Sequence, residues 1–210
     1  MNLLVFGATG GTGREIVRQA LAQGHIITAF APHPAELDIV DPRLHRVKGD
    51  VRDFEAVDNV VPGHHAVLSS LGSRVLNRNT VLPAGTRNIV QAMEKHGIRR
   101  LISVSCLGAG DSREHIGLLY NLLLTPVLMH AFIEQKEEQE SIIMRSTLDW
   151  TVVRPGALTD GPRTGKYHAG FDPAGETDIE AKISRADLAD FLLKQIEDET
   201  FLHQAPGLSY

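Results

Sequence analysis

One cysteine, Cys106, stands in 210 residues. An internal disulfide is therefore impossible, and nothing calls for an oxidising compartment. Basic residues are in deficit: 21 Lys and Arg face 26 Asp and Glu, a formal net charge of −5. A nucleic-acid-binding domain ordinarily carries a basic excess, so this balance argues against that class. Long apolar runs are lacking as well. The most apolar stretch, from Ile116 to Met129, is broken by Asn121, Thr125 and Pro126. It falls short of the ~20 residues that a membrane-spanning helix needs. The first strand-like run already begins at Asn2, so a secretory leader is not expected. Metal-ligand spacings are missing too. The ten histidines contain no H-E-x-x-H, the pair His64-His65 has no helical i, i+4 partner, and no C-x-x-C occurs. These absences predict a soluble, cytoplasmic protein with no metal, no nucleic acid and no membrane among its partners.

What is present is alternation. Apolar residues make up 42% and charged residues 22%, enough apolar matter for one packed core. Short apolar runs read as strands at 2–6, 25–31, 44–48, 65–70, 100–105 and 150–154, the last closed by Pro155. Between them, helical spacing appears at 11–23 (Ile16, Val17, Ala20, Leu21), at 54–61 and at 80–96 (Ile89, Val90, Met93). Gly24 and Gly97 stand where helix C-terminal glycines belong. A last helix follows Ser184 as N-cap, with Asp187 three residues on, a near capping box. Strands alternating with helices predict parallel β-α-β units. The expectation is one doubly wound parallel α/β sheet, a single domain over 1–210. The segment from Gly108 to Thr147 is long for one crossover. It includes an acidic run at Glu134–Glu140, expected to be the solvated face of a kinked surface helix. The other reading makes its Leu-rich half a wall of a ligand pocket, because α/β sheets bind ligands at the carboxyl ends of their strands.

The sequence GATGGTG at 7–13 follows the first strand directly and opens the first helix. In that context it is a dinucleotide-binding loop. Gly7 turns the chain off the strand, Gly10 lets a diphosphate approach the backbone, and Gly13 lets the helix pack close to the sheet. With Thr9, Gly11 and Thr12 these residues form the candidate phosphate cradle at a helix N-terminus. Near the end of the second strand an acid would select NAD and an arginine NADP. Residues Pro32, His33 and Glu36 offer neither device cleanly. His33 would donate to a phosphate and Glu36 accept from a hydroxyl, or both are ordinary loop residues. Gly49-Asp50-Val51, after the third strand, is placed to contact an adenine ring. Ser105 and Cys106, at the carboxyl end of the fifth strand, are the candidate catalytic side chains nearest the nicotinamide. Cys106 is otherwise a small buried filler.

These motifs, with LGSR at 71–74, GTRNIVQAMEKHG at 85–97, SVSCLGAG at 103–110, LDWTVVRPGALTDGPRTGKY at 148–167 and ISRADLADFLL at 183–193, make a resemblance. The chain is similar to the atypical short-chain dehydrogenase/reductase family, in particular its flavin reductase and biliverdin reductase B group. The resemblance implies a Rossmann domain that binds NADP(H) or NAD(H) and reduces a flavin, bilin or quinone, as a monomer or weak homodimer. It also implies that Leu71, Gly72, Ser73 and Arg74 line the cofactor. Pro155, Gly156, Ala157 and Leu158 would approach the nicotinamide end. Lys136 would reach the nicotinamide ribose, or else be a solvated partner of Glu140. Residues 108–147 and 155–182 would form the substrate side. This chain departs from the group in several places. Pro32 and Glu36 replace arginines, Cys106 stands for a serine and Ala157 for a histidine. A Tyr-x-x-x-Lys pair is absent, Tyr120 being followed at +4 by Leu124 and Tyr167 by Phe171. Missing catalytic groups leave a second expectation open, a non-catalytic NAD(P) sensor acting through a protein partner.

Overall fold

The computed structural model describes residues 1–72, 81–110, 126–170 and 181–210, with side chains from 131 onward in the third of these. In chain order the elements are β1 (Asn2–Phe6), α1 (Gly11–Ala22), β2 (Ile26–Ala31), β3 (Leu44–Lys48), α2 (Phe54–Val60) and β4 (Ala66–Ser69). Then come α3 (Val81–His96), β5 (Arg100–Val104), α4 (Pro126–Met144), β6 (Asp149–Pro155), β7 (Ala157–Thr159) and β8 (His168–Ala169). The chain closes with β9 (Lys182–Ser184), α5 (Arg185–Lys194) and β10 (Gly207–Ser209). The main sheet has the order β3-β2-β1-β4-β5-β6-β10-β8, and β7 pairs with β9 in a second, two-stranded sheet. All main-sheet pairings are parallel except β10 with β8.

Alternate residues of each central strand serve opposite cores, because successive side chains point to opposite faces. Leu3 and Val5 of β1 pack with Ile16, Val17 and Ala20 of α1 and Leu188, Phe191 and Leu192 of α5. Leu4 and Phe6 pack on the other side with Val57 of α2 and Ile89, Val90 and Met93 of α3. The expected doubly wound sheet is therefore observed. β1 pairs with both β2 and β4, so the strand order reverses there and a crevice opens at their carboxyl ends.

The acidic run on α4 is solvated only in part: Glu134 and Glu138 are exposed as expected. Lys136, Gln139 and Glu140 are buried, not solvated. Arg154 of β6 meets Glu140 through two bonds, Nη2 to Oε2 at 2.7 Å and Nε to Oε1 at 3.1 Å. A partner fixed by the sheet takes the carboxylate out of water, which charge density along the helix cannot reveal.

The helix α5 begins as expected, with Ser184 Oγ accepting from Asp187 N–H at 3.0 Å. The Asp187 carboxylate does not return to Ser184 N–H, which instead bonds Tyr210 Oη at 3.2 Å. It accepts from the N–H groups of Thr164 and Gly165, each at 2.8 Å, and from the Tyr210 hydroxyl at 2.7 Å. A fully buried carboxylate thus pins the segment after β7 and the last residue to one helix. Burial works to raise the Asp187 pKa, but the bonds from Tyr210, Gly165 and Thr164 outweigh it and hold the carboxyl below its usual range. Its stabilising share is therefore complete at neutral pH and lost as pH falls through that lowered value. Asp187→Ala should lower stability by about 3 kcal/mol in urea titrations at pH 7, because several buried donors lose their acceptor together.

Candidate functional site

Gly7 follows β1 with φ +77°, a left-handed value that L side chains avoid. A Cβ there would also sit 2.7 Å from Ser70 O, so the loop and the end of β4 touch backbone to backbone. Ser70 secures this contact through N–H to Phe6 O at 3.0 Å and Oγ to Gly7 O at 3.3 Å. Gly10 N–H bonds Gly7 O at 3.0 Å and closes the turn. Gly13 lies against the same carbonyl: a Cβ on it would come within 2.2 Å of Gly7 O and 2.8 Å of Ala8 Cα. The first turn of α1 has no acidic residue, and its N-cap, Gly10, offers no side-chain acceptor. Its leading amides therefore carry partial positive charge with no side-chain anion of their own.

A cleft of about 600 Å³ opens above this loop, at the carboxyl ends of β1, β2, β4 and β5. That volume suits a small-molecule site. Of the expected residues, Gly7, Thr9, Gly10, Gly11, Thr12, Pro32, Asp50, Val51, Leu71, Gly72, Ser105, Lys136 and Leu158 line it. Gly13, His33, Cys106, Pro155, Gly156 and Ala157 do not. Gly13 supports the loop from behind. Gly156 packs on the backbone of Ala181, where a Cβ would be 2.5 Å from the carbonyl carbon. His33 is exposed at the start of a 3-10 turn, Pro34–Glu36. Ser73 and Arg74 lie outside the described residues.

At the outer end, Gly49 is shaped by packing: a Cβ on it would strike Phe30 Cζ at 2.3 Å. Val51 is held by Gly85 of α3 and by Asn88 Nδ2, which donates to Val51 O at 2.9 Å. Arg52 lines the cleft beside Pro32, and its Nε donates to Asp50 Oδ1 at 3.0 Å.

At the inner end, Lys136 is fully buried and spends its three N–H bonds on protein. Nζ donates to Leu71 O at 3.2 Å, Val104 O at 2.8 Å and Gln139 Oε1 at 2.9 Å. It therefore ties α4 to the ends of β4 and β5. Burial pushes its pKa down to about 8, so it remains an ammonium at neutral pH. The expected solvated Lys136–Glu140 pair does not form. Phe132 stands one helical turn before Lys136 in the same wall, the spacing of a Tyr-x-x-x-Lys pair without the hydroxyl. Ser105 Oγ is buried in the lining with no hydrogen-bond partner among the described residues. Burial pushes the Cys106 thiol up to about 11, so at neutral pH it is not a thiolate nucleophile.

Sequence reasoning missed Arg52, Phe132 and Arg185. The four-residue step from Phe132 to Lys136 was a usable signal. Nothing in the sequence signals Arg185, because it enters the cleft from α5, more than 170 positions after the glycine loop.

An uncapped helix start under glycine backbone, at a strand-order reversal, defines a dinucleotide-binding protein. Residues 7–199 match the family described as NAD(P)H-binding, and the chain belongs to that family. It is 28% identical over 211 residues to an uncharacterized chloroplastic protein of Arabidopsis thaliana, covering 94% of this chain and 72% of the relative. It superposes on ChuY, an anaerobilin reductase from Escherichia coli O157:H7, with TM-score 0.81, 24% identity and coverage of 100% and 97%. A short-chain dehydrogenase/reductase of Veillonella parvula in complex with NADP gives TM-score 0.80 at 18% identity, covering 100% and 94%. Among the described residues no helix is long and apolar enough to cross a membrane.

The two supporting glycines separate in their expected cost. Gly13→Ala should reduce stability by about 1–3 kcal/mol, since backbone must move. Gly10→Ala, whose Cβ meets only Gly7 O at 3.4 Å, should keep the parent denaturation midpoint.

Proposed function

We propose that the protein is a reductase that passes hydride from NADPH or NADH to a planar conjugated acceptor, a flavin, bilin or quinone. The observation that carries this reading is the state of the polar groups at the inner end of the cleft. Lys136 has no spare N–H, Phe132 has no hydroxyl, and among the described residues Ser105 Oγ is the buried, unpartnered polar atom there.

The residues present fit the coenzyme. The amides at Gly11 and Thr12 would hold its diphosphate, Asp50 and Val51 its adenosine half, and Leu71, Gly72 and Leu158 its nicotinamide half. The bound coenzyme supplies a hydride. The chain's contribution is to orient and to exclude water, through Val81, Val104, Phe132 and Leu158 in the walls. Ser105 would hydrogen-bond the carboxamide or the acceptor. A simple ketone needs a side-chain acid to protonate its developing alkoxide. The nitrogen or oxygen of a conjugated acceptor can take its proton from water, which suits an inner end where, among the described residues, Ser105 offers the unpartnered hydroxyl and no acid lines the wall. The reductase activity named for ChuY is in keeping with this class of acceptor. Residues 155–182 and the segment 108–147 would shape the acceptor side, in a cytoplasmic protein acting as a monomer or weak homodimer.

Gly10→Asp should abolish the rise in nicotinamide fluorescence on titration with NADPH or NADH, because a carboxylate enters the phosphate cradle, while the melting temperature stays near that of the parent. With FMN, riboflavin, biliverdin and quinones, the parent should oxidise the coenzyme at a measurable steady-state rate. Retained binding with no turnover on the whole panel would replace this proposal with the sensor. Ser105→Ala should lower kcat about tenfold, the loss of one hydrogen bond in the transition state, with coenzyme affinity changed less than threefold.

A further inference from the structure

The site holds a cation that the dinucleotide loop by itself does not require. Arg185 is the first residue of α5, and its side chain lies across Gly11. A Cβ on Gly11 would be 2.7 Å from both Arg185 Cδ and Arg185 Nε. Arg185 lines the cleft and is mostly buried. Its carboxylate partner, Asp160, is held at 2.5 Å but is 89% exposed. That is a counter-ion in water, whose hold on the guanidinium is worth little.

The placement is unfavourable unless an anion joins it. The first turn of α1, where Gly11 stands, bears partial positive charge, no acidic residue and no side-chain cap. A guanidinium leaning over that turn adds charge of the same sign. The fold nevertheless gives it room, by leaving Gly11 without a side chain. An anion lying between the α1 amides and Arg185 would satisfy both at once, through charge-assisted bonds on either side. The guanidinium fork also suits phosphate oxygens better than a point charge does.

From the stacking of Arg185 on Gly11 inside the cleft we infer that Arg185 is a clamp on the coenzyme diphosphate, with Asp160 as its resting counter-ion, displaced when the diphosphate binds. This rests on the NAD(P)H reading above and extends it to a residue outside the glycine loop. It also links the two sides of the cleft. Asp160 directly follows β7, whose Leu158 lines the same cleft, so coenzyme binding loosens one tether of the acceptor-side segment.

Affinities for NADPH, NADH and ADP-ribose test the clamp in the parent, Arg185→Met, Arg185→Lys, Asp160→Asn and the double variant Arg185→Met/Asp160→Asn. Titration calorimetry serves for all three ligands. Arg185→Met should weaken all three about tenfold or more, because they share the diphosphate. Its affinity should also depend less steeply on ionic strength, one charge facing the diphosphate having been removed. Arg185→Lys should recover part of the loss. Asp160→Asn should tighten binding a few-fold, by removing the competitor for the guanidinium. The double variant should behave as Arg185→Met alone. The opposite signs of the two single variants separate a ligand-binding arginine from a structural ion pair, for which both would weaken binding. Asp160 is exposed, so its variant keeps the test valid even if Arg185→Met fails to fold. Affinities in Arg185→Met within twofold of the parent, or weaker binding in Asp160→Asn, would overturn the clamp and leave the NAD(P)H reading standing. Absence of coenzyme binding by the parent would overturn both.

Discussion

The site depends on one close approach of backbone to backbone. Gly7 O accepts from Gly10 N–H, lies against the Cα of Gly13, and accepts again from Ser70 Oγ. Three elements, β1, α1 and the end of β4, therefore meet around a single carbonyl. No side chain fits there, which is why the start of α1 can be held against the carboxyl ends of the central strands with its amides facing outward. The cleft exists because this corner is bare of side chains on its inner side and helical on its outer side.

The opposite wall is built on a different principle. Lys136, Gln139 and Glu140 come from α4 into a buried region, each with a polar partner on the sheet or on its own helix. Taking such charges from water is costly, and replacing the whole arrangement by apolar groups would often leave stability unchanged or raise it. What the arrangement supplies is position. Lys136 bonds the carbonyls of Leu71 and Val104, so the helix can seat in only one register against the ends of β4 and β5. The register places Phe132 in the wall of the cleft that Ser105 also lines. A cation with all its N–H groups committed is a brace rather than a proton donor, and this narrows the chemistry the cleft can perform.

The sheet and the phosphate loop were legible because their causes are local. Apolar runs of five to seven residues, helical spacing between them and glycines at 7, 10 and 13 act through neighbours along the chain, and strand limits differ from expectation by a residue at most at each end. The brief strands β7 to β10 were not legible. Two or three residues carry no period, and their pairing is set by partners far away in sequence, as for Leu208 against Pro155. Along α4 composition indicates solvent, which holds for Glu134 and Glu138 but not for Glu140, because the partner that buries Glu140 stands on β6.

The sequence by itself determined the alternation of strand and helix, the bare turn at residues 7–13 and the absence of disulfide, metal-ligand and Tyr-x-x-x-Lys patterns. Each is a property of a short window, where backbone freedom and side-chain period act directly. Tertiary structure alone decided which groups share the cleft: Arg185 over Gly11, Arg52 beside Pro32, and a lysine whose every N–H is occupied. Those meetings come from packing α4 and α5 onto the sheet. Burial and hydrogen-bond partners are set in three dimensions, so no window of the chain contains them.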